Sequence, residues 1–423
     1  MFLNKNNKER VLLVGLARSS KERWQVADSL EELAALTKTA GGEVVEKILQ
    51  IKAEPEPATL LGKGKVLELK EICQKYNIDL LIFDQQLSGT QIRNLQETIG
   101  VRVIDRHALI LDIFAKHAQT AEAKTQVELA QLQYRRTTLL GFGTELSRLG
   151  GGIGTRGPGE KKLEVDRRRI RERIAFLSRV LEKIDREREV QKKKRRAYIK
   201  IALVGYTNAG KSTLLNQLTG SRVKVSPELF ATLDPKTKPL VLGKNLVVLV
   251  TDTVGFIKNL PHELIASFRA TLGEIKDADL ILHIVDSSVL DVENKIKIVE
   301  DTLKEIGCEN KPILKVFNKI DCVFEISRLH RLKRAYPDSV LVSALTGEGI
   351  PKLKSAILEC LTPMLTTNRI TIPLERGDLL KFIYGAGEIK KELVNDGKIT
   401  FVIRGFKPSL IKLKKKLNQA LGK

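Results

Sequence analysis

Long apolar runs, paired cysteines and clustered histidines are all missing from this sequence of 423 residues. No apolar run approaches the ~18 residues that a membrane-spanning helix needs, and we expect neither a signal peptide nor a cleavage site. The four cysteines are scattered without a C-x-x-C pair, and the five histidines do not accompany them. Disulfides and structural zinc are therefore not expected, and the composition is typical of the reducing cytoplasm.

Acidic residues are too few to balance the basic ones. The formal net charge is +22 and the pI is about 9.7, which predicts a polyanionic partner, either nucleic acid or an anionic membrane surface. Residues 161–200 carry 17 Lys and Arg against 7 Asp and Glu. A solvated helix with internal ion pairs would need more acids, so this segment favours contact with a polyanion.

Residues 8–120 alternate short apolar runs with helical patterns. Strands are predicted at Val11–Leu16, Glu43–Ile51, Leu80–Asp84 and Val101–Arg106. Strands that alternate with helices indicate a parallel sheet with helices on both faces. The same alternation resumes from Tyr198 to about Thr362, and the remaining tail reads as three strands and a basic terminal helix.

The segment between these regions predicts a helical hairpin. Residues 109–140 contain neither proline nor glycine and are free to run as a helix, and eight of the residues 141–160 are glycine. The helix that follows has an apolar a/d seam, which requires a partner helix. The seam residues are Ile170, Ile174, Leu177, Leu181 and Ile184. The preceding helix is the simplest partner, so the glycine-rich loop becomes the hairpin tip; a flexible linker is the alternative.

We therefore predict an α/β protein with four domains. They are an N-terminal parallel α/β domain (1–120), an antiparallel two-helix hairpin with a glycine-rich tip loop (121–197), a second α/β domain (198–365) and a small C-terminal α+β domain (366–423).

A nucleotide-binding loop is predicted within Ile201–Leu218. The motif G-x-x-x-x-G-K-S runs from Gly205 to Ser212, with an apolar strand before it and a helix after it, which is the context that this motif requires. The backbone N–H groups of such a loop surround phosphates, and the helix N-terminus adds positive potential. We expect Lys211 to reach the β- and γ-phosphates and Ser212 to bind Mg²⁺.

Two further segments supply a magnesium and γ-phosphate site. Asp252 ends a hydrophobic strand, and Gly255 follows it in a D-x-x-G pattern. In this pattern the carboxylate acts on Mg²⁺ through water, and the glycine senses the γ-phosphate. The loop Phe230–Pro235 lies between this pattern and the nucleotide-binding loop. Its Thr232 is therefore the candidate switch threonine that closes on Mg²⁺.

The N-K-x-D sequence at Asn318, Lys319 and Asp321 selects the base. A carboxylate at Asp321 accepts from both the N1–H and the 2-amino group of guanine, whereas adenine would leave it unpaired. The segment Val342–Leu345 brings backbone donors to the guanine carbonyl. GTP and GDP are therefore the predicted ligands, and residues 198–365 are predicted to form a Ras-like P-loop GTPase domain.

Lys211 and Thr232 are the predicted catalytic residues, and Ser212, Thr232 and, through water, Asp252 are the predicted Mg²⁺ ligands. The predicted nucleotide-binding residues are Gly205, Tyr206, Thr207, Asn208, Ala209, Gly210, Lys211, Ser212, Thr213, Phe230, Ala231, Thr232, Leu233, Asp234, Asp252, Thr253, Val254, Gly255, Asn318, Lys319, Ile320, Asp321, Ser343, Ala344 and Leu345.

A water-aligning side chain is missing from these motifs. Many small GTPases have glutamine directly after D-x-x-G, where this chain has Phe256, and no arginine lies in the nucleotide-binding loop. Slow intrinsic hydrolysis is predicted, accelerated by groups that a partner supplies; alternatively, another residue positions water unaided. Asn208 is a candidate ligand for a monovalent cation, K⁺, beside the phosphates.

The whole chain resembles the HflX family of ribosome-associated GTPases. "LSGTQIRNLQ" is similar to the family's N-terminal domain, "GPGEKKLEVDRRRI" to its helical hairpin, and "GYTNAGKST", "FATLDP", "DTVGF" and "NKID" to its G-domain motifs. Many GTPases share the last four, but the glycine loop followed by a basic helix is specific. The family's switch segment often reads T-L-D-P-T, and here Lys236 intervenes before Thr237.

The resemblance implies binding to the ribosome, chiefly the 50S subunit and its rRNA, ribosome-stimulated GTP hydrolysis and splitting of stalled 70S particles. It also implies that the hairpin tip reaches toward the peptidyl-transferase region. A GTP-dependent large-subunit assembly factor stays an alternative, as does peripheral membrane attachment through basic helices. ATP binding by the N-terminal domain, which the family suggests, stays open because no Walker-type loop is present there. We expect a cytoplasmic monomer without stable membrane insertion.

Overall fold

The computed structural model describes residues 8–141, 158–195, 198–222, 228–230, 234–243, 245–258, 269–395 and 397–421. These residues form two compact units, which are described separately. The first extends through Ile184, and the second begins at Asp185.

A four-stranded parallel sheet forms the centre of the first unit. Its strands are β1 (Arg10–Ala17), β2 (Glu43–Ile51), β3 (Leu80–Phe83) and β4 (Arg102–Asp105). They lie in the order β2-β1-β3-β4, and each pair is parallel. The two central strands are buried along nearly their whole length, as expected where helices cover both faces. All four predicted strands are confirmed.

Three helices connect these strands, namely α1 (Arg23–Ala40), α2 (Lys63–Lys75) and α3 (Gly89–Ile99). They bury their apolar faces against the sheet, α2 and α3 in one shared core and α1 through its own buried leucines. A capping box starts α3, because Ser88 Oγ accepts the N–H of Gln91 at 3.2 Å and Gln91 Oε1 accepts the N–H of Ser88 at 2.9 Å. Gly100, with φ of 88°, ends the helix. Local sequence therefore fixes both ends of α3.

A buried ion cluster fixes the carboxyl edge of this sheet. Arg106, directly after β4, is 0% exposed and donates to Asp84 Oδ1 at 2.7 Å and to Ser29 Oγ at 3.1 Å. Its guanidinium also pairs with Glu32. Because Asp84 follows β3 while Ser29 and Glu32 belong to α1, the cluster joins two strand ends to one helix. A buried guanidinium is tolerated only with such partners.

The segment before the glycine-rich loop forms two helices, so the expectation of a single helix over residues 109–140 is wrong. They are α4 (Arg106–His117) and α5 (Ala121–Gly141). Ala118 leaves the helical conformation with ψ of 113°, and Thr120 Oγ1 accepts the N–H of Ala123 at 3.1 Å. A threonine that caps a new helix N-terminus makes this break favourable without proline or glycine.

The long helix after the loop, α6 (Pro158–Arg195), has its seam on one side. Leu177 is buried, and the other four seam residues are partly buried. Arg173 Nε forms an ion pair with Glu128 Oε1 on α5 at 2.8 Å, which places the two helices side by side. The predicted tip loop, from residue 142 to residue 157, lies outside the described residues.

The second unit contains a six-stranded sheet in the order β10-β9-β8-β5-β7-β6. All neighbouring pairs are parallel except β6 and β7. The strands are β5 (Ile199–Gly205), β6 (Lys236–Leu242), β7 (Leu246–Asp252), β8 (Leu280–Asp286), β9 (Ile313–Asn318) and β10 (Val340–Leu341). The helices are α7 (Lys211–Thr219), α8 (Arg269–Lys276), α9 (Val292–Glu305), α10 (Ile326–Ala335) and α11 (Ile350–Leu361). The G-x-x-x-x-G-K-S, D-x-x-G, N-K-x-D and Val342–Leu345 motifs each begin at the carboxyl end of a parallel strand, so these four motifs meet at one edge of the sheet.

A small α+β domain completes the second unit. Its antiparallel sheet has the order β11-β13-β12. The strands are β11 (Leu365–Pro373), β12 (Glu388–Asn395) and β13 (Lys398–Phe406), and the helices are α12 (Leu380–Tyr384) and α13 (Lys407–Ala420). This domain has its own apolar core, while Phe406 packs into the core of the six-stranded sheet. The three strands and the terminal helix predicted for this tail are confirmed.

Candidate nucleotide-binding site

The G-x-x-x-x-G-K-S motif forms the loop between β5 and α7. Gly210 directly precedes α7 with φ of 90°, and a Cβ at this position would collide with the side-chain amide of Asn318. Glycine therefore permits both the left-handed backbone and the close approach of β9. The first N–H groups of α7 have no acceptor within the helix, which suits them to bind a phosphate.

Lys211 is buried at the centre of this loop. Its Nζ donates to the carbonyl oxygens of Gly205 at 3.2 Å and Tyr206 at 3.0 Å, and the residue is 7% exposed. Burial lowers the pKa of Lys211 to about 8, and the nearby Asp252 carboxylate opposes this change. An ammonium held by two neutral carbonyls is well placed to turn to an entering anion.

Ser212 and Asp252 bring two oxygen atoms together beside the loop. Ser212 Oγ donates to Asp252 Oδ2 at 2.6 Å, and Asp252, at the end of β7, is 0% exposed. Hydroxyl and carboxylate oxygens are the ligands that Mg²⁺ prefers. The donor set therefore fits a magnesium ion.

The D-x-x-G segment is attached to the nucleotide-binding loop by its backbone. Phe256 donates its N–H to Gly205 O at 3.0 Å, and its carbonyl accepts the N–H of Thr207 at 2.8 Å. A Cβ on Gly255 would stand 2.9 Å from Thr207 Cγ2 and 3.0 Å from Lys211 Nζ. Only glycine allows this approach, and it keeps the N–H of Gly255 beside the phosphate loop.

Phe256 itself is 2% exposed, as expected of a packing residue. Thr253 Oγ1 donates to Leu203 O at 2.7 Å, which fixes the start of the segment on β5. Lys258, after Phe256, donates its backbone N–H to the Tyr206 hydroxyl at 2.9 Å. Together with the two backbone bonds of Phe256, these contacts hold residues 253–258 along β5 and the loop by four hydrogen bonds.

Asn318 connects the base motif to the phosphate loop. Its Nδ2 donates to Ala209 O at 2.8 Å, and its Oδ1 accepts the N–H of Ala344 at 2.9 Å. The side chain is 1% exposed, so both hydrogen bonds are shielded from water. Asn318 therefore aligns three of the predicted motifs with one amide group.

Asp321 and Lys319 line the place expected for the base. The Asp321 carboxylate is exposed, and a hydrogen bond from Ser343 is the main factor that lowers its pKa. Lys319 adopts φ of 62° and forms an ion pair with Asp286 at 2.7 Å. Ser343 is fully buried and Leu345 is 77% exposed. The Asp321 carboxylate is thus ionised and open to donors from a ligand.

Family models match consecutive parts of the chain. Their descriptions are "GTP-binding GTPase N-terminal" for residues 27–115, "GTP-binding GTPase Middle Region" for 117–195, "50S ribosome-binding GTPase" for 200–319 and "HflX C-terminal domain" for 329–422. A protein of Caldanaerobacter subterraneus subsp. tengcongensis named GTPase HflX is 44% identical over 91% of this chain and 88% of its own length.

The chain belongs to the HflX family of GTPases.

Other HflX relatives are similar over nearly the same length. The GTPase HflX of Escherichia coli K12 is 41% identical over 89% of each chain, and that of Lacrimispora saccharolytica is 46% identical over 82% of each. A GTP-binding protein of Sulfolobus solfataricus in complex with GDP is 26% identical, with a TM-score of 0.43, over 84% of this chain and 99% of its own. As a member of the HflX family, the protein is a GTP hydrolase with the magnesium dependence usual for this fold.

The structure brings most of the predicted site residues to one edge of the GTPase sheet. Residues 205–213, 252–255, 318–321 and 343–345 lie in the four loops described above. Phe230 is buried with φ of 59°, and Asp234 is partly buried. Ala231, Thr232 and Leu233 lie outside the described residues.

Two residues of this HflX site, Tyr206 and Asp286, make contacts that the sequence does not indicate. Tyr206 was predicted only as a loop residue, yet its hydroxyl binds Lys258 and Lys295 Nζ stands 5.1 Å from its ring centroid. Asp286 was not predicted at all, although its position at the end of β8, next to β9, was a usable signal.

None of the helices within the described ranges is long and apolar enough to cross a bilayer. In the same part of the chain, no group of three or more His, Cys, Asp or Glu side chains is arranged to hold a metal ion.

Proposed function

We propose that this HflX-family GTPase binds the large ribosomal subunit, is stimulated there to hydrolyse GTP, and splits stalled 70S ribosomes. The position of Phe256 is the observation that carries this proposal. Its ring is 2% exposed, and both of its backbone groups bond to the nucleotide-binding loop. A buried phenyl ring offers no hydrogen bond to water, so basal hydrolysis is slow and a docked partner completes the site.

The proposed roles of individual residues in nucleotide binding follow from the positions of the same loops. Lys211 exchanges its two carbonyl acceptors for the β- and γ-phosphates. Ser212 and Thr232 would hold Mg²⁺, with Asp252 acting through water, and the bound ion would supply positive charge to neutralise the phosphate oxygens. Asp321 accepts from the guanine N1–H and 2-amino groups.

The remaining loop residues orient the base and the phosphates in this proposal. The backbone N–H groups of Ser343, Ala344 and Leu345 face the guanine carbonyl. Asn208, which is exposed with φ of 60°, is the proposed ligand for K⁺ beside the phosphates. GTP and GDP therefore share one pocket, and the γ-phosphate is sensed at Gly255.

Ribosome contact is assigned to the basic hairpin of the proposed second domain, residues 121–197. Arg168, Arg169 and Arg171 on α6 are exposed, while the seam residues on the other side of the helix are at least partly buried. Exposed guanidinium groups neutralise rRNA phosphates and read shape rather than base sequence. The family description "50S ribosome-binding GTPase" supports the same partner.

The decisive measurement is the GTPase rate with and without purified 50S subunits. We expect the subunits to raise kcat at least ~10-fold, because a completed site gains transition-state contacts. Deletion of Gly150–Gly159 should leave basal hydrolysis unchanged and remove the stimulation. An equal rate with and without subunits would refute ribosome activation. Stimulation that survives the deletion would show that the glycine-rich loop only connects the two helices.

Sucrose gradients separate splitting from subunit assembly. GTP-bound protein added to purified 70S ribosomes should convert the 70S peak to 30S and 50S peaks. An unchanged 70S peak, together with precursor particles in cells depleted of the protein, would instead establish an assembly factor.

A further inference from the structure

A cationic cleft lies between the GTPase sheet and the C-terminal domain, both within the second unit. It has a volume of about 180 Å³. Tyr198 and Asn245 line it on the side of the GTPase sheet, and residues of α12 and α13 line it on the other side. Of the described residues that line it, three are lysines and none is acidic. Such a composition selects an anion.

Two aromatic rings hold the three ammonium groups in the cleft. Lys412 Nζ stands 4.8 Å from the ring centroid of Tyr198, and Lys381 and Lys416 stand 5.2 Å and 5.1 Å from that of Phe382. None of these lysines forms an ion pair in the part of the chain that the structure describes. Cation–π contacts at exposed sites contribute only about 0.5–1 kcal/mol. An incoming anion therefore has no ion pair to displace, and its charge-assisted hydrogen bonds to these lysines are stronger than the cation–π contacts.

The charge around the cleft extends beyond a single anion site. Helix α13 carries five lysines and no acidic residue, and residues 366–423 contain 13 Lys and Arg against 5 Asp and Glu. A row of ammonium groups beside partly buried rings suits a chain of phosphates whose bases can contact the aromatic edges. A recessed cleft does not suit a flat bilayer surface.

We propose that this cleft, here called the Lys381–Lys416 cleft, binds the phosphodiester backbone of a single-stranded or looped RNA segment. This site is separate from the basic hairpin and from the nucleotide-binding site. It binds RNA whether or not the protein splits ribosomes, so its test does not depend on that function.

Lysine acetylation mapped by mass spectrometry on the full chain tests the proposal locally. The hairpin also attracts RNA, so overall affinity alone would not report on the cleft. A short single-stranded RNA oligonucleotide should slow acetylation of Lys381, Lys412 and Lys416 several-fold. Lys414 and Lys415, which are exposed on the same helix but do not line the cleft, are internal controls that should change much less.

Equal protection of all five lysines, or protection of none, would overturn the proposal. Polyglutamate and phosphatidylserine vesicles serve as competing polyanions in the same assay. If either protects the three cleft lysines as well as RNA does, the cleft recognises acidic protein or lipid surfaces and not RNA.

Paired variants provide a second, independent measure. Lys412→Gln with Lys416→Gln removes two cleft charges, and Lys414→Gln with Lys415→Gln removes two charges from the same helix outside it. Each lost phosphate contact lowers the slope of log affinity against log salt by about 0.7 for single strands. The first pair should lower it by about 1.4 and the second by clearly less. Equal salt slopes for the two double variants would mean that RNA is attracted by net charge alone, and the proposed binding site in the cleft would be wrong.

Discussion

The hydroxyl of Tyr206 accepts the backbone N–H of Lys258 at 2.9 Å. Tyr206 belongs to the loop that surrounds the phosphates, and Lys258 lies three residues after Gly255 of the D-x-x-G pattern. The bond therefore joins the proposed phosphate cradle to the proposed γ-phosphate sensor. Lys295 on α9 approaches the same ring at 5.1 Å, which links a third element to this contact.

Replacement of Tyr206 with Phe should slow hydrolysis while leaving GDP affinity nearly unchanged. The ring remains, but the segment after Gly255 loses a hydrogen bond worth about 1 kcal/mol. If the hydrogen bond between Tyr206 and Lys258 positions this segment only when the γ-phosphate is present, kcat should fall about 5-fold. Single-turnover hydrolysis and GDP titration measure the two quantities separately.

Two variants at Lys258 provide the control. Lys258→Ala keeps the backbone N–H and should behave as the original protein, whereas Lys258→Pro removes this donor. Combined with Tyr206→Phe, the proline variant should add little further loss, because both changes remove one bond. Additive losses would show that the Tyr206 hydroxyl acts elsewhere.

The strands and motifs of this protein could be predicted because each is encoded locally. The apolar run Val11–Leu16 and the G-x-x-x-x-G-K-S loop carry their own periodicity and spacing, which do not depend on distant residues. The helix break at Ala118 was missed because a threonine cap at residue 120 competes with a sequence that is otherwise favourable for helix.

Contacts between distant segments were not predictable. Nothing near Arg106 in the sequence indicates that Asp84, Ser29 and Glu32 surround it, because the fold brings them together from 22 to 77 positions away. Asn318 was predicted from N-K-x-D, but its bonds to Ala209 and Ala344 depend on strand order. Spacing therefore identifies the residues of a site, while topology determines what each of them contacts.

GDP binding should take up a proton above pH 8. Burial lowers the pKa of Lys211 from 10.5 to about 8 in the nucleotide-free protein, and phosphate oxygens in contact with the ammonium would raise it again. At a pH between the pKa of Lys211 in the free protein and its higher pKa in the GDP complex, the side chain is largely neutral when free and protonated when GDP is bound. Affinity should therefore fall as pH rises through this window, by up to about tenfold per unit, and stay level below it.

Calorimetry in two buffers of different ionisation enthalpy measures this uptake directly. At pH 8.5 we expect roughly three quarters of a proton per GDP, from a group with a pKa near 8, and almost none at pH 7. Absence of uptake at pH 8.5 would mean that Lys211 is already charged in the free protein, and equal uptake at both pH values would assign the proton to another group.

Asp321→Asn should change the base preference. The amide keeps the size of the carboxylate but presents one acceptor and one donor group, so it clashes with the guanine N1–H and 2-amino donors. We expect GTP affinity to fall at least ~100-fold and xanthosine triphosphate to bind better than GTP. Competition binding with both nucleotides measures this switch, and retained guanine preference would remove Asp321 from the base site.

Arg106→Met should loosen the N-terminal sheet far more than the same substitution at Arg102. Arg106 is fully buried against Asp84 and Glu32, so its loss leaves two carboxylates without their cation, at a cost of about 3–5 kcal/mol. Arg102, at the opposite, amino end of β4, pairs with Glu9 at 3.4 Å with 43% of its side chain exposed, and exposed pairs contribute less than about 1 kcal/mol. Because a chain with several domains does not unfold in one step, hydrogen exchange of β1 and β3 peptides in the full chain is the suitable measurement. Exchange there should accelerate strongly in Arg106→Met while GDP affinity stays unchanged; equal acceleration in the two variants would show that the buried cluster contributes no more than a surface pair.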